Sequence, residues 1–307
     1  MDADWPMIAV RFALYAVLGS LFGLSAFGLY GLRAGERGKA LALKPWLVAL
    51  ALIGLILSAV QLALLAASMT GAPAWPVDRE AVGMLLSGSA LGVAWKARMA
   101  ALLVAGLAAV AAGRGAWLGV VAVAAGIALS ALAWTGHGAA GEGAPGWAHL
   151  IADMLHLLAS GAWVGALLGL VLLVTRSADR VDAAHLTLTH RALHGFGLVG
   201  TVVVGAIIVT GLVNTWMLVG PGNVPDLGVT LYGRLLVAKL ALFAAMLGFA
   251  SLNRFRLTPT FERSIAAGVH SGALGALRAS LAVETACAVV ILALVGWLGT
   301  LEPPVSM

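Results

Sequence analysis

Residues 147–174 read WAHLIADMLHLLASGAWVGALLGLVLLV, and this stretch decides the fold class. Its apolar run is long enough for a helix to cross a bilayer, since about 30 Å of hydrocarbon requires roughly 20 helical residues. Two histidines and one aspartate stand in its first half, where ionisable groups are costly unless they face other protein groups. The stretch therefore predicts a transmembrane helix whose first half has a polar face.

The composition of the whole chain extends this prediction. Of 307 residues, 62% are hydrophobic and 10% are charged, and the mean hydropathy is +1.02. A soluble domain has about 25% charged residues, so this chain could not cover itself with a polar surface. Lys and Arg outnumber Asp and Glu by 18 to 13, an excess that in membrane proteins marks cytoplasmic loops rather than nucleic-acid binding. The single cysteine, Cys287, excludes an intrachain disulfide and a CxxC motif.

Eight apolar runs have the length of a membrane span. They cover residues 7–32, 46–69, 88–112, 117–135, 148–174, 195–219, 229–252 and 274–299. The first run has no basic n-region and no small-residue cleavage site, so we expect a retained membrane helix rather than a signal peptide. The prediction is an all-α, polytopic membrane protein with eight transmembrane helices in a single integral membrane domain, residues 1–307.

The loops predict the orientation. Basic residues follow the first, third, fifth and seventh spans: Arg33, Arg37, Lys39, Lys44, Arg114, Arg176, Arg180, Arg191, Arg254, Arg256 and Arg263. The alternate loops contain Arg79 as their only basic residue. Under the positive-inside rule, both termini face outward, which is the periplasm for a protein of a bacterial inner membrane.

Two similar segments suggest an internal duplication. The third span contains GVAWKARMAALL and the seventh contains YGRLLVAKLALF, each with a glycine and basic residues before a long apolar half. Gly92 corresponds to Gly233, and polar Gln61 of the second span corresponds to Asn214 of the sixth. We predict a parallel 4+4 repeat with halves 1–146 and 147–307, of the kind known in some transporters.

The polar residues of the fifth span form a candidate metal site. His149, Asp153 and His156 lie at i, i+4 and i+7, within an arc of roughly 60° on a helix. With the predicted orientation, His149 is at the outer mouth and His156 is about 10 Å deeper. The preceding WTGHGAAGEGAPG places His137 and Glu142 in an outer loop. Imidazole and carboxylate groups bind copper, zinc or nickel.

Each of these residues also has a structural interpretation. His149 can be an interfacial histidine, and Asp153 can pair with a basic residue of a neighbouring helix. The outer halves of several spans contain the basic residues Arg11, Lys96, Arg98, Arg234 and Lys239. These residues either pair with acids and helix-end carbonyls or form a pocket for an anion or for heme propionates. On the opposite side, His190 and His194 lie at i, i+4 and either clamp a metal or belong to a solvated connector.

Several motifs in the second half, together and in this order, resemble the copper resistance protein D family of bacterial inner-membrane proteins. They are TGHG (135–138), DMLHLLASGAWVGALLGL (153–170), TGLVNTW (210–216), TLYGRLLVAKLALF (230–243) and LNRFRLTP (252–259). The resemblance covers residues 130 to 300, and in the first half it rests on the span pattern and WKARM. It implies eight spans and copper transport across the inner membrane with periplasmic copper-binding partners. By the same analogy, His137 and His156 are copper-ligand candidates, whereas His149 and Asp153 join them from spacing alone.

The leading hypothesis is therefore a copper-binding membrane transporter with copper ion, as Cu(I) or Cu(II), at a periplasmic site. No GxxxxGK[ST] motif occurs, so we expect no ATP hydrolysis and no enzyme, and transport that is downhill or coupled to a gradient. The alternatives are a heme-binding redox protein of the cytochrome type, with propionates held by the outer basic residues, and a scaffold that docks copper chaperones without transport.

Overall fold

The computed structural model describes residues 4–37, 41–111, 116–139, 141–176, 182–269 and 271–306, and over these ranges it is helical, without strands. Its α-helices are α1 Trp5–Tyr30, α2 Leu43–Thr70, α3 Arg79–Gly88, α4 Ala90–Val110, α5 Trp117–Ser130, α6 Gly143–Val174, α7 Ala183–Val219, α8 Leu231–Leu252, α9 Thr258–Ala266 and α10 Ser271–Leu298. Eight of these described helices are long and apolar enough to cross a membrane, which confirms the predicted count. The short α3 and α9 lie between spans.

Some helices extend beyond the predicted spans. The α7 helix begins at Ala183 rather than at 195, because Asp182 caps its N-terminus by accepting a hydrogen bond from the His185 backbone N–H. The α8 helix continues through a π-helical segment, Asn253–Leu257, directly into α9. In both places the extension is polar, so hydropathy alone does not detect it.

The helices alternate in direction through the bundle. The rings of Trp5 and Trp297 lie 5.5 Å apart, which brings the start of α1 and the end of α10 together. We call this the terminal end of the bundle and the other the opposite end. The α1 helix is central, since it contacts α2, α5, α6 and α10.

The closest helix crossing is between α1 and α6, and glycines make it possible. A Cβ atom on Gly23 would lie 2.0 Å from the Gly161 carbonyl oxygen, and one on Gly165 would lie 2.0 Å from the Gly23 carbonyl carbon. Gly19–Gly23 and Gly161–Gly165 are each four residues apart, the small-residue spacing that lets membrane helices approach closely. This crossing fixes α6, which carries the candidate site, against the centre of the bundle.

Polar contacts join the loops at the opposite end. The Arg191 guanidinium forms an ion pair with the Glu36 carboxylate. Burial of Glu36 favours its neutral form and raises its pKa. This effect is outweighed by hydrogen bonds from the Arg33 backbone N–H and from Arg191, together with the charges of both arginines. The pKa of Glu36 is therefore lower than its ordinary value. Arg278 donates to the Val174 carbonyl at the end of α6.

The orientation of the bundle in a membrane stays a prediction. Of the basic residues on which it rests, Lys39, Arg114 and Arg180 lie outside the described residues.

The 4+4 repeat is also a prediction, although α4 and α8 begin alike. Hydroxyls of Ser89 and Thr230 accept from the backbone N–H groups of Gly92 and Gly233. A Cβ on either glycine would lie within 2.3 Å of a carbonyl oxygen in the preceding turn.

Candidate functional site

A cavity of about 420 Å³ lies in the terminal half of the bundle, between α1, α6, α7, α8 and α10. Most of its wall is aliphatic. Its ionisable and hydroxyl- or amide-bearing side chains are Arg11, Tyr15, His149, Asp153, His156, Ser160, Asn214, Thr215, Tyr232 and Lys239. The polar stripe of α6 thus faces the interior of the bundle, where charged and polar groups find partners that lipid does not offer.

The Asp153 carboxylate is held from two sides. Asn214 of α7 donates a hydrogen bond from Nδ2 to Asp153 Oδ1, at 3.3 Å. On the other side the backbone of the TGHG loop covers the carboxylate, since a Cβ on Gly138 would lie 2.9 Å from Asp153 Oδ2. A larger residue than glycine at 138 would push the loop off this group.

The loop that carries His137 therefore lies over Asp153. Residues His137–Ala139 form one turn of 3₁₀ helix, and Glu142 immediately precedes α6. The side chain of His137 lies outside what the structure describes. Gly136 and Gly138, the residues on either side of it in the chain, line the same cavity as the α6 stripe.

His156 is oriented by a threonine on α7. Its Nδ1 lies 3.0 Å from Thr210 Oγ1, and the Thr210 hydroxyl donates to the Ala206 carbonyl oxygen at 2.6 Å. A hydroxyl has one proton, so in this arrangement it accepts from His156, whose neutral ring must then carry its proton on Nδ1. The lone pair is left on Nε2, which is the form that binds a metal.

His149 completes the stripe nearer the terminal end. Its side chain is buried, with 5% of its surface exposed, and it lines the same cavity as Asp153 and His156. However, no three His, Cys, Asp or Glu side chains within the described part of the chain are close enough together to hold a metal ion. His149, Asp153 and His156 share a cavity without forming a closed coordination sphere.

Two of the predicted basic residues contribute to this cavity. The Arg11 guanidinium donates to the Thr135 carbonyl oxygen at 2.8 Å and lies 3.5 Å from the Tyr15 hydroxyl. Half-buried Lys239 of α8 also lines the wall. Both cations act electrostatically on Asp153, although neither forms a close ion pair with it among the described contacts. The cavity wall thus has two basic side chains and one acidic side chain.

The other basic residues lie elsewhere. Arg98 is 1% exposed and donates to Gln61 Oε1 at 2.9 Å, away from the cavity wall. Lys96 and Arg234 are exposed. A structural role for Arg98 is consistent with this pairing, because a buried guanidinium needs a polar partner.

The predicted histidine pair lies at the opposite end of the bundle. His190 Nε2 is 3.6 Å from Glu262 Oε2, and the rings of His190 and His194 are 6.3 Å apart. This pair is separate from the cavity that His156 lines.

Sequence reasoning missed how two residues of α7 support the stripe. Thr210 orients His156 and Asn214 holds Asp153, whereas the sequence offered Asn214 only as a repeat position. Both lie in TGLVNTW, four residues apart, so they occupy one face of a membrane helix. That spacing is the signal from which they could have been found.

Comparisons with known proteins agree over most of the chain. Residues 1–147 match the family profile described as copper resistance protein D-like, N-terminal domain, and residues 190–298 match the one described as copper resistance protein D. The chain is 44% identical over 301 residues to a Pseudomonas syringae pv. tomato protein named copper resistance protein D, which covers 96% of each chain.

Two other relatives match over shorter regions. A Bacillus subtilis protein named copper transport protein CutJ is 32% identical over 136 residues, 44% of this chain and 24% of that protein. An Escherichia coli protein named inner membrane protein YebZ is 27% identical over 172 residues, 56% of this chain and 55% of that protein. No solved structure matches the chain.

Proposed function

The chain belongs to the copper resistance protein D family, and on that premise we propose that it binds copper in the cavity of its terminal half and moves the ion across the inner membrane. A role in copper homeostasis follows from the family. The site and the transport step are the parts that this proposal adds.

The observation that carries the proposal is the orientation of His156. With the Thr210 hydroxyl donating to Ala206, its oxygen accepts from His156 Nδ1, and in this tautomer Nε2 is the nitrogen with a lone pair for a metal. A metal-bound histidine usually has such a partner on its other nitrogen, which fixes the ring and its tautomer. Thr210 is such a partner for His156.

The other ligands come from the same wall. Asp153 supplies a carboxylate fixed by Asn214, and His149 supplies a second imidazole from the same helix face. His137 is the proposed fourth ligand, from the loop whose backbone covers Asp153. The described side chains alone do not provide three ligands close enough to hold a metal ion, so the proposed site needs His137 as a further ligand.

The charges of the cavity favour a carrier over an open pore. Arg11 and Lys239 would repel a permeating cation in a water-filled channel. A site that captures copper by coordination and releases it after a conformational change does not need an attractive field along its whole path. In the predicted orientation the cavity faces the periplasm, where copper-binding proteins would deliver the ion.

The heme hypothesis has less support. His149 and His156, the described histidines of the cavity, are two turns apart on one helix. Their rings therefore cannot ligate one iron from opposite faces of a porphyrin. A purified sample with a Soret band would contradict this conclusion.

The test is copper binding by the full chain in detergent. We expect His156→Ala to lose most affinity and His149→Ala to lose less, since water replaces the shallower ligand more easily. Binding should also weaken at acidic pH, because protons compete with copper for imidazole. His190→Ala is the matched control, a histidine at the other end of the bundle, and should bind like the parent. Parental affinity in a folded His156→Ala protein would overturn the proposed site.

Transport needs a separate measurement. Copper uptake into sealed vesicles that contain only this protein should exceed uptake into protein-free vesicles and should be lost in His156→Ala. Binding without uptake would instead indicate a protein that docks copper without moving it.

A further inference from the structure

A second cavity, of about 250 Å³, lies in the opposite half of the bundle and contains a carboxyl group that the proposed copper site does not use. It is bounded by α6, α7, α8, α10 and the π-helical segment Asn253–Leu257. The carboxyl belongs to Glu284, in the middle of α10, whose side chain is 1% exposed. An ionisable group at this depth is expensive and is a candidate for function.

Glu284 has one partner and several unmet acceptors around it. Asn253 Nδ2 donates to Glu284 Oε2 at 2.9 Å. Glu284 Oε1, Asn253 Oδ1 and Ser280 Oγ are all buried without a hydrogen-bond partner. Ser280 lies one turn before Glu284 on the same helix face. The unpartnered atoms are therefore two oxygens that can only accept and one hydroxyl that can donate or accept.

Within the part of the chain that the structure describes, no positive charge pairs with this carboxylate. Glu284 forms no ion pair within the described residues. The other charged side chain on the cavity wall is Arg254, which is exposed and donates to Thr201 Oγ1.

The neighbouring elements add no counter-charge at this level. Residues 16–28 of α1, 157–174 of α6, 195–205 of α7 and 240–252 of α8 contain no ionisable side chain. On α9, Glu262 and Arg263 are exposed, and on α10 itself Arg278 donates to backbone carbonyls while Cys287 lies one turn away.

The backbone is irregular at the same place. The α-helix of α8 changes to π-helix at Asn253, the residue that holds Glu284. Single π turns inside helices occur frequently at functional sites, because they re-aim one side chain at a cost in helix regularity. Here the re-aimed side chain is buried and points at the carboxyl.

We propose that Glu284, held by Asn253, is a proton-binding site that takes up and releases one proton during the transport cycle. Protonation forms an O–H bond on a carboxylate oxygen and adds a donor next to oxygens that have no hydrogen-bond partner. Release breaks that bond, leaves the electron pair on the carboxylate and returns the proton to solvent through the cavity.

A link to copper movement rests on the proposed function. Trp163 lines both cavities, and its buried Nε1 has no hydrogen-bond partner among the described residues, so this side chain borders the proton site and the copper site. Movement of this ring in response to either ligand would connect them. Proton release toward one side of the membrane would then accompany copper movement.

The first test needs no copper. Dicyclohexylcarbodiimide reacts with protonated carboxyls in apolar surroundings, so treatment of the full chain in detergent should label Glu284, as read by peptide mass spectrometry. Labelling should fall as the pH rises and should be lost in Glu284→Gln, while exposed Glu302 and Glu142 stay largely unlabelled. Absence of label on wild-type Glu284 across the pH range would overturn the proposal. Protection by Na⁺ at constant pH would overturn it in favour of a sodium site.

The second test concerns coupling. In vesicles with an imposed pH gradient, wild-type copper uptake should differ from uptake without a gradient, and in folded Glu284→Gln the two rates should be equal. A gradient effect that persists in Glu284→Gln would refute the coupling role. Failure of all copper uptake, with labelling intact, would remove the proposed function and leave the proton site standing.

Discussion

The Oγ1 of Thr210 lies 3.0 Å from the Nδ1 of His156, and the Thr210 hydroxyl donates a hydrogen bond to the Ala206 carbonyl oxygen one turn earlier on α7. This pair links the two longest spans of the second half of the bundle, α6 and α7, at the candidate copper site. It determines which nitrogen of His156 faces the cavity with a lone pair. The orientation of the imidazole is thus set by a helix that provides no metal ligand of its own.

The first prediction concerns this pair. Thr210→Val keeps the shape of the side chain but removes the acceptor, so the His156 ring loses its fixed tautomer. Loss of a partner behind a metal-bound histidine typically lowers affinity about 10- to 100-fold, and we expect a copper affinity reduced by that factor. Isothermal titration in detergent measures it. Thr210→Ser retains the hydroxyl and should bind copper like the parent; equal affinity of the Val and Ser variants would contradict the role of Thr210.

The second prediction concerns the crossing of α1 and α6. Gly23→Ala places a Cβ 2.0 Å from the Gly161 carbonyl oxygen, so the two helices must separate. Overpacking of this kind costs about 1–3 kcal/mol, and more where backbone must move. We expect a lower thermal-unfolding midpoint and a lower yield of monodisperse protein. Gly205→Ala is the matched control, since a Cβ there meets no atom within 4 Å. A Gly23→Ala protein as stable as the Gly205→Ala protein would show that the crossing tolerates separation.

The sequence predicts the spans and the cavity-facing stripe because both signals are local. Hydropathy identifies each span, and the 100° period places His149, Asp153 and His156 on one face. The supporting residues depend on which helices are neighbours, and no local pattern states that α7 brings Thr210 and Asn214 against α6. The roles of Gly23 and Gly165 also depend on which helices are neighbours. Glycines are abundant in this chain, and a single glycine predicts a close helix crossing only when the helix it faces is known.

The third prediction separates a structural arginine from the copper site. Arg98 donates to Gln61 from one nitrogen, while its Nε and Nη1 are buried without partners. Gln61→Leu leaves the buried guanidinium without its described partner and should destabilise the protein. Breaking a buried pair from one side costs more than replacing both partners, so the double variant Gln61→Leu with Arg98→Met should recover stability. Thermal unfolding of the three proteins makes the comparison. A double variant less stable than Gln61→Leu would contradict the interpretation, and copper affinity should be unchanged in each folded variant.

The fourth prediction concerns the ion pair at the opposite end. The pKa of Glu36 is lowered, so its contribution to stability is fully present above the pKa of the unfolded chain and is lost as the pH falls through the folded value. Because both side chains are partly exposed, the contribution is small, about 1 kcal/mol or less. Glu36→Gln should therefore lower the unfolding midpoint slightly at neutral pH and leave it unchanged at a pH well below the pKa of Glu36 in the folded protein. Arg33→Gln is the control for the backbone contact, since it removes charge but keeps the N–H donor. An effect of Glu36→Gln that persists in acid would show that packing, not charge, is responsible.

The last prediction tests the direction in which the copper cavity opens. The basic residues described at the opposite end, among them Arg33, Arg37, Arg191 and Arg254, favour a cytoplasmic location for that end. Both termini and the cavity of His156 then face the periplasm. A C-terminal alkaline phosphatase fusion should be active and a C-terminal fluorescent protein dark, while fusions after residue 176 should behave in the opposite way. If the C-terminal phosphatase is inactive in a stably inserted fusion, the cavity opens to the cytoplasm, and copper would reach His156 from the cell interior.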